Sequence, residues 1–275
     1  MSELNAAAGY TKNGLPYNRY GHGTRPVVVF QGLLFENKPL TGFLSGVLAG
    51  PYKGLEEACT VYVVTRKPGL PAGYSLKDMA DDYAVMIQQE FGGPVDVIGV
   101  STGGSIVQHF AADHPELVRK LIIHSSAYTL TDASKIIQLR AAHYASQRNW
   151  RAAYATMFND MLPASRISRY ALKPVVWLGT ALLGTFAAPK DPNDFVVTVE
   201  AEDKFNFKDR LAQITAPTLV IAGDKDPFYT EELFRETAAG IPNAKLILYK
   251  GMGHPASGQQ FTRDVLAFLL VEHTN

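Results

Sequence analysis

A serine set among small residues, Gly99-Val100-Ser101-Thr102-Gly103-Gly104, carries the most specific chemical signal in the chain. It follows the apolar run Val95-Asp-Val-Ile-Gly-Val100 and precedes a helical pattern with Ile106, Val107 and Phe110 on one face. A serine on a sharp strand-to-helix turn is lifted above the sheet. It then sits at a helix N-terminus, whose partial positive charge favours an oxyanion nearby. The plain alternative is a glycine-rich turn with no chemistry. A serine hydroxyl becomes a good nucleophile only when a base takes its proton and a third group orients the base. Two later segments hold groups of those kinds: Gly223-Asp224-Lys225-Asp226-Pro227 and Gly251-Met252-Gly253-His254-Pro255. Taken singly, an acidic turn is usually solvated, and a lone histidine usually lies on the surface or in a satisfied core.

The elements that must position these groups are legible as short apolar runs. Val27–Phe30, Val61–Val64, Val95–Val100, Leu121–Ile123, Thr218–Ala222 and Leu246–Tyr249 are nearly unbroken and rich in β-branched residues, as in strands buried on both faces. Helical patterns separate several of them. Ser75–Phe91 opens on Ser75-x-x-Asp78, a capping box with Asp in place of Glu, and puts Leu76, Met79, Tyr83, Met86 and Ile87 on one face. Thr230–Ala239 is a helix stopped by Gly240 and Pro242. Phe261, Val265, Phe268 and Leu269 form the stripe of a last helix. Near the start, Asn13-Gly14 predicts a tight turn in a short antiparallel hairpin, since both residues tolerate positive φ. Strand–helix alternation implies an α/β fold, a mostly parallel sheet with helices on both faces. The alternation breaks between about 129 and 212. The predicted organisation is therefore a core of residues 1–128 and 213–275 with a helical cap inserted at 129–212.

With the Gly99–Gly104 serine turn in that context, the sequence resembles the α/β-hydrolase superfamily, as a cap-bearing serine carboxylesterase or lipase-like member. The resemblance covers nearly the whole chain, and the family's triad order, Ser, then Asp or Glu, then His, is present. It implies Ser101 as nucleophile, Asp226 (three residues after Gly223) as the acid with Asp224 as competitor, and His254 as the base. His124, which ends the Leu121–Ile123 run, is the main histidine alternative and reads as a core residue. The oxyanion hole needs two backbone donors. Thr102 N–H, directly after the nucleophile, is one. Leu33 N–H is the other, from Gln31-Gly32-Leu33-Leu34. The family commonly has His-Gly there, and this chain has Gln31. The donor is a backbone group, so the change need not abolish catalysis. Four loops after four parallel strands would then meet at the carboxyl edge, where ligands bind.

The expected reaction is hydrolysis of a carboxylic ester through an acyl-enzyme, with no metal or organic cofactor. Thioesterase, lactonase, C–C hydrolase and perhydrolase chemistry use the same serine, and a silent ligand-binding module is the rival of a different class. Ser101 argues against epoxide hydrolases and haloalkane dehalogenases, which need a carboxylate nucleophile. Trp177, Leu178, Leu182, Leu183 and Phe186 could line an acyl pocket, or simply pack the cap on itself.

Bulk properties fit a small-molecule enzyme. With 275 residues, 47% of them hydrophobic, the chain can bury a sizeable core. Lys+Arg and Asp+Glu are both 26, so there is no basic excess to grip a phosphate backbone, and no nucleic-acid partner is expected. Cys59 is the only cysteine and reads as a core filler; without a disulfide framework, a reducing, cytoplasmic location is expected. No signal peptide is visible. The most apolar stretch, Pro174–Pro189, is shorter than the roughly 20 residues needed to cross a bilayer.

Overall fold

The structure, a computed structural model, describes residues 4, 7–42, 45–46, 50–160, 178–181, 184 and 188–271. The apolar runs form strands β3 (Arg25–Phe30), β4 (Cys59–Val64), β5 (Val95–Val100), β6 (Val118–His124), β7 (Thr218–Gly223) and β8 (Ala244–Tyr249). With β1 (Ala8–Tyr10) and β2 (Pro16–Tyr20) they make one eight-stranded sheet, ordered β1-β2-β4-β3-β5-β6-β7-β8. β3 to β8 pair in parallel, and β2 runs antiparallel to both β1 and β4.

Alternate residues of one strand feed two separate cores. Val28, Phe30, Val97, Leu121, Ile123 and Val220 face one core, with helices α1 (Leu76–Phe91), α2 (Thr102–Asp113) and α6 (Glu231–Gly240). Val27, Val29, Ile98, Ile122, Leu219 and Ile221 face the other, with α7 (Gln259–Leu270) and a 3₁₀ segment at Gly50–Leu55. This two-sided burial is why the runs show no polar alternation. Cys59 is buried within the second core, and burial raises its thiol pKa.

The capping box opens α1 as its spacing predicts. Asp78 N–H donates to Ser75 Oγ at 3.1 Å, and Ser75 N–H donates to Asp78 Oδ2 at 2.9 Å. Gly92 closes the helix with φ 70°, the left-handed cap that glycine adopts without strain. The β1–β2 turn is looser than the Asn13-Gly14 reading. It runs from Thr11 to Leu15, closed by Thr11 N–H to the Leu15 carbonyl at 2.9 Å, and Gly14 rather than Asn13 has positive φ. Asn13 is drawn away: its Nδ2 donates to the Asp82 carbonyl in α1 at 2.8 Å.

Between β6 and β7 lie α3 (Asp132–Ser146), α4 (Trp150–Asp160) and α5 (Asn193–Asp203). They share a third core of Ala141, Ala145, Trp150, Tyr154, Phe195 and Val199, against which Leu33 and Phe35 pack. The Phe35 ring stacks on Phe195 with centroids 4.4 Å apart. The loop after β3 is thereby pinned between the sheet and these helices.

Candidate active site

Ser101 sits between β5 and α2 with φ 54° and ψ −126°. Positive φ in a residue with a β-carbon costs on the order of 1–3 kcal/mol and persists only where the surroundings fix it. Here they do. Ser101 N–H donates to the His124 carbonyl at 3.1 Å, and the Ser101 carbonyl accepts from Gly104 N–H at 2.7 Å. The flanking glycines are steric requirements. A Cβ on Gly103 would lie 1.9 Å from the Phe30 carbonyl oxygen, and one on Gly99 would lie 2.4 Å from Val107 Cγ1. Thr102 is the first residue of α2, so its N–H has no intrahelical acceptor.

The loop after β3 passes over this turn. A Cβ on Gly32 would stand 3.2 Å from Ser101 Cβ and 3.3 Å from the Val100 carbonyl oxygen. Arg66, just beyond β4 and 1% exposed, holds the loop: its guanidinium donates to the carbonyls of Gln31 at 2.9 Å and Gly32 at 3.0 Å. With those carbonyls turned toward Arg66, the chain carries Leu33 to the same edge as Thr102. Burial lowers the Arg66 pKa, and the Tyr83, Glu202 and Asp194 groups oppose that shift.

The acid and histidine loops are laced together. Gly223 ends β7 where a Cβ would lie 2.1 Å from the Met252 carbonyl oxygen. Lys225 N–H donates to that same carbonyl at 2.9 Å. Asp224 accepts from Gly251 N–H at 2.6 Å, so its carboxylate is spent on the backbone of the histidine loop. Asp226 is the carboxylate that meets the imidazole: Nδ1 of His254 lies 2.7 Å from Asp226 Oδ2. The two side chains are 7% and 0% exposed. The other oxygen, Oδ1, accepts from the N–H groups of Phe228 at 2.9 Å and Tyr229 at 3.3 Å. The rings of Phe228 and Tyr229 flank the imidazole, with centroids 4.9 and 6.2 Å away. A carboxylate bound at Nδ1–H fixes the tautomer and leaves Nε2 to accept a proton. Among the described residues no hydrogen bond joins His254 Nε2 to Ser101 Oγ.

The chain matches the Alpha/beta hydrolase family over residues 9–267. It belongs to that family. Among relatives of this hydrolase, RutD of Serratia proteamaculans (strain 568), provisionally named a carbamate hydrolase, is 27% identical over 215 residues, covering 74% of this chain and 76% of its own. The bifunctional esterase/perhydrolase DCH of Acinetobacter calcoaceticus is 24% identical over 212 residues, covering 72% and 75%. The 2-hydroxy-6-oxononadienedioate/2-hydroxy-6-oxononatrienedioate hydrolase of Cupriavidus pinatubonensis is 29% identical over 188 residues, covering 64% and 62%. Among solved structures, the enol-lactonase of Burkholderia xenovorans LB400 superposes with a TM-score of 0.75 at 20% identity, covering 96% of this chain and all of its own. That likeness shows the shared fold.

In this hydrolase the residues singled out from sequence emerge together. Leu33, Ser101, Asp226 and His254 follow the carboxyl ends of β3, β5, β7 and β8, with Thr102 beside Ser101. Leu178 is 56% exposed, and Trp177, Leu182, Leu183 and Phe186 lie outside the described residues. Three supporting residues act on the site through partners distant in sequence. Arg66 holds the Gln31-Gly32 backbone, as above. His124 and Ser125 form the floor: Ser125 Oγ accepts from Ala256 N–H at 3.0 Å, and the His124 ring reaches the Ala256 carbonyl. Arg66, a charge two residues beyond a core strand at the ligand edge, leaves a trace that sequence reading could have used, and His124 lies in the core as its place at the end of an apolar run predicts. Among the described residues no group of three or more His, Cys, Asp or Glu side chains is placed to hold a metal ion, and no helix is long and apolar enough to cross a membrane.

Proposed function

We propose that this hydrolase cleaves carboxylic esters, with Ser101 as nucleophile, His254 as general base and Asp226 as its orienting carboxylate. The observation that carries this reading is the buried 2.7 Å contact between Asp226 and His254 Nδ1, on loops beside the strained Ser101 turn. His254 takes the Ser101 proton as Oγ attacks the ester carbonyl. The N–H groups of Leu33 and Thr102 receive the tetrahedral oxyanion; loss of one such donor typically costs about 3 kcal/mol of barrier. The alcohol leaves with the proton from His254. Water, deprotonated by the same imidazole, then releases the acid and regenerates Ser101.

The segment 129–212 acts in this reading as a cap over the carboxyl edge, with Trp177, Leu178, Leu182, Leu183 and Phe186 as the acyl-pocket residues. The named activities of relatives include an esterase/perhydrolase, which favours ester cleavage, and a hydrolase acting on an oxo-dienedioate, which keeps C–C cleavage as the second reading. A panel of chromogenic esters of graded chain length, run beside a thioester, a lactone and a vinylogous diketone, separates them. Ester turnover that exceeds the others and vanishes in Ser101→Ala is expected. Turnover confined to the diketone would replace the ester reading with the C–C one.

A further inference from the structure

Glu202, on α5, is fully buried behind the serine turn. Thr102 Oγ1 donates to its Oε2 at 2.6 Å, and Ser105 Oγ donates to its Oε1 at 2.9 Å. Burying a carboxylate costs several kcal/mol unless its oxygens are satisfied. Burial raises the Glu202 pKa; the two hydroxyls, Arg66 and Gln138 pull the other way and favour the anion. Thr102 and Ser105 are three residues apart, so they share one face of the first turn of α2. Two hydroxyls from one helical face on two oxygens of one carboxylate fix the rotation of that helix about its axis. The helix rotation in turn sets the direction of the Thr102 N–H.

We propose that Glu202 is a positioning residue for the oxyanion side of the site, clasping the first turn of α2 so that the Thr102 N–H points where the oxyanion forms. This rests on the ester-hydrolase reading of Ser101. The clasp also ties the β6–β7 insertion to the nucleophile turn, because α5 lies within that segment. Packing alone does not need a charge here, since an apolar residue of similar volume would fill the space at no desolvation cost. A purely electrostatic role has the opposite sign: a negative charge near the oxyanion would slow the reaction, so neutralising it would speed turnover.

The test compares wild type with Glu202→Gln, which keeps shape but removes the charge and forces one hydroxyl to turn from donor to acceptor of the amide, and Thr102→Val, which keeps volume and the backbone N–H but removes the hydroxyl from the clasp. Each is measured for kcat and KM on p-nitrophenyl acetate, for affinity toward a trifluoromethyl ketone that forms the tetrahedral adduct, and for its rate of labelling by a fluorophosphonate. Positioning predicts that kcat and ketone affinity fall together by about 10-fold, a part of the loss for a missing donor. KM stays within about two-fold, and the double variant loses little more than either single one. A folded variant of either kind with unchanged or raised kcat, or with reduced stability but intact ketone affinity, overturns the role. If Glu202→Gln does not fold, Thr102→Val carries the same comparison. Wild type that fails to label at Ser101 overturns the ester reading itself; wild type that labels normally, beside variants that label equally fast, overturns only the role of Glu202.

Discussion

The His124 ring meets the Ala256 carbonyl at 2.6 Å through Nε2. A carbonyl only accepts, so Nε2 carries the proton and Nδ1 accepts from the Tyr52 hydroxyl at 3.1 Å. The same residue's carbonyl receives Ser101 N–H. One residue at the end of β6 therefore touches the serine turn with its backbone and the histidine loop with its side chain. His124→Phe keeps a ring against Phe261, on which His124 stacks at 4.4 Å, but strands the Ala256 carbonyl. An unsatisfied buried polar group costs about 1–3 kcal/mol. The expected result is a denaturation midpoint lowered accordingly, and a kcat loss larger than any change in KM. Unaltered stability and kcat would remove His124 from the support of the site.

Acid should destabilise the fold through two histidines, His124 fully buried and His109 half-buried. Burial lowers the His124 pKa to about 3, and the neighbouring His254 adds to the shift. Burial, then Arg210, lowers His109 to about 4. The unfolded chain has these groups near 6.5. Between that value and the folded pKa the unfolded state binds more protons, so stability is fully present above about pH 6.5 and falls as pH drops below it. Chemical denaturation at graded pH should show this slope, with a shallower slope in His124→Phe. A slope identical in the two proteins would contradict the assignment.

The two acidic residues of the Gly223–Pro227 turn should separate cleanly. Asp226→Asn keeps shape but presents the wrong hydrogen-bonding partner to Nδ1, and kcat should fall by roughly 10⁴-fold. Asp224→Asn still offers an oxygen to Gly251 N–H and should lower kcat far less, with a modest loss of stability. Steady-state kinetics on one ester decides it; equal losses would mean that the His254 contact is not the one that matters.

Gly32 is a spatial requirement of the serine turn. Gly32→Ala puts a methyl group 3.2 Å from Ser101 Cβ, so the loop carrying Leu33 must shift by a few tenths of an ångström. In the proposed mechanism, misplacing the Leu33 N–H on this scale should lower kcat by about 10-fold with little change in the folded content seen by circular dichroism. Full activity would show that the loop does not deliver a donor.

The parallel strands were plain in the sequence because both faces of β3, β5, β6 and β7 are buried, which leaves unbroken apolar runs. The turns that carry Ser101 and Asp226 stood out in the sequence through the glycines at or near them. Gly103 and Gly223 each leave room for another backbone, and this need is written in residue type. Choosing Asp226 over Asp224 rested on family resemblance, and coordinates were needed to show where each carboxylate goes. The roles of Glu202, His124 and Arg66 were not legible because the partners of their side chains are 30 or more residues away along the chain. A glutamate in Val199-Glu-Ala-Glu-Asp203 looks like any helical surface charge until packing buries it. The antiparallel hairpin around Asn13-Gly14 forms as its residues predict, but with a wider loop, in which Asn13 bonds the Asp82 carbonyl instead of closing a two-residue turn.

In the proposed mechanism Ser101 Oγ is the atom that attacks. Peptide mapping by mass spectrometry after treatment with a fluorophosphonate measures this directly. One adduct on Ser101, loss of ester turnover in step with its formation, and neither adduct nor turnover in folded Ser101→Ala is the predicted result. A folded Ser101→Ala protein that still hydrolyses the ester, or an adduct that maps to another residue, would contradict it.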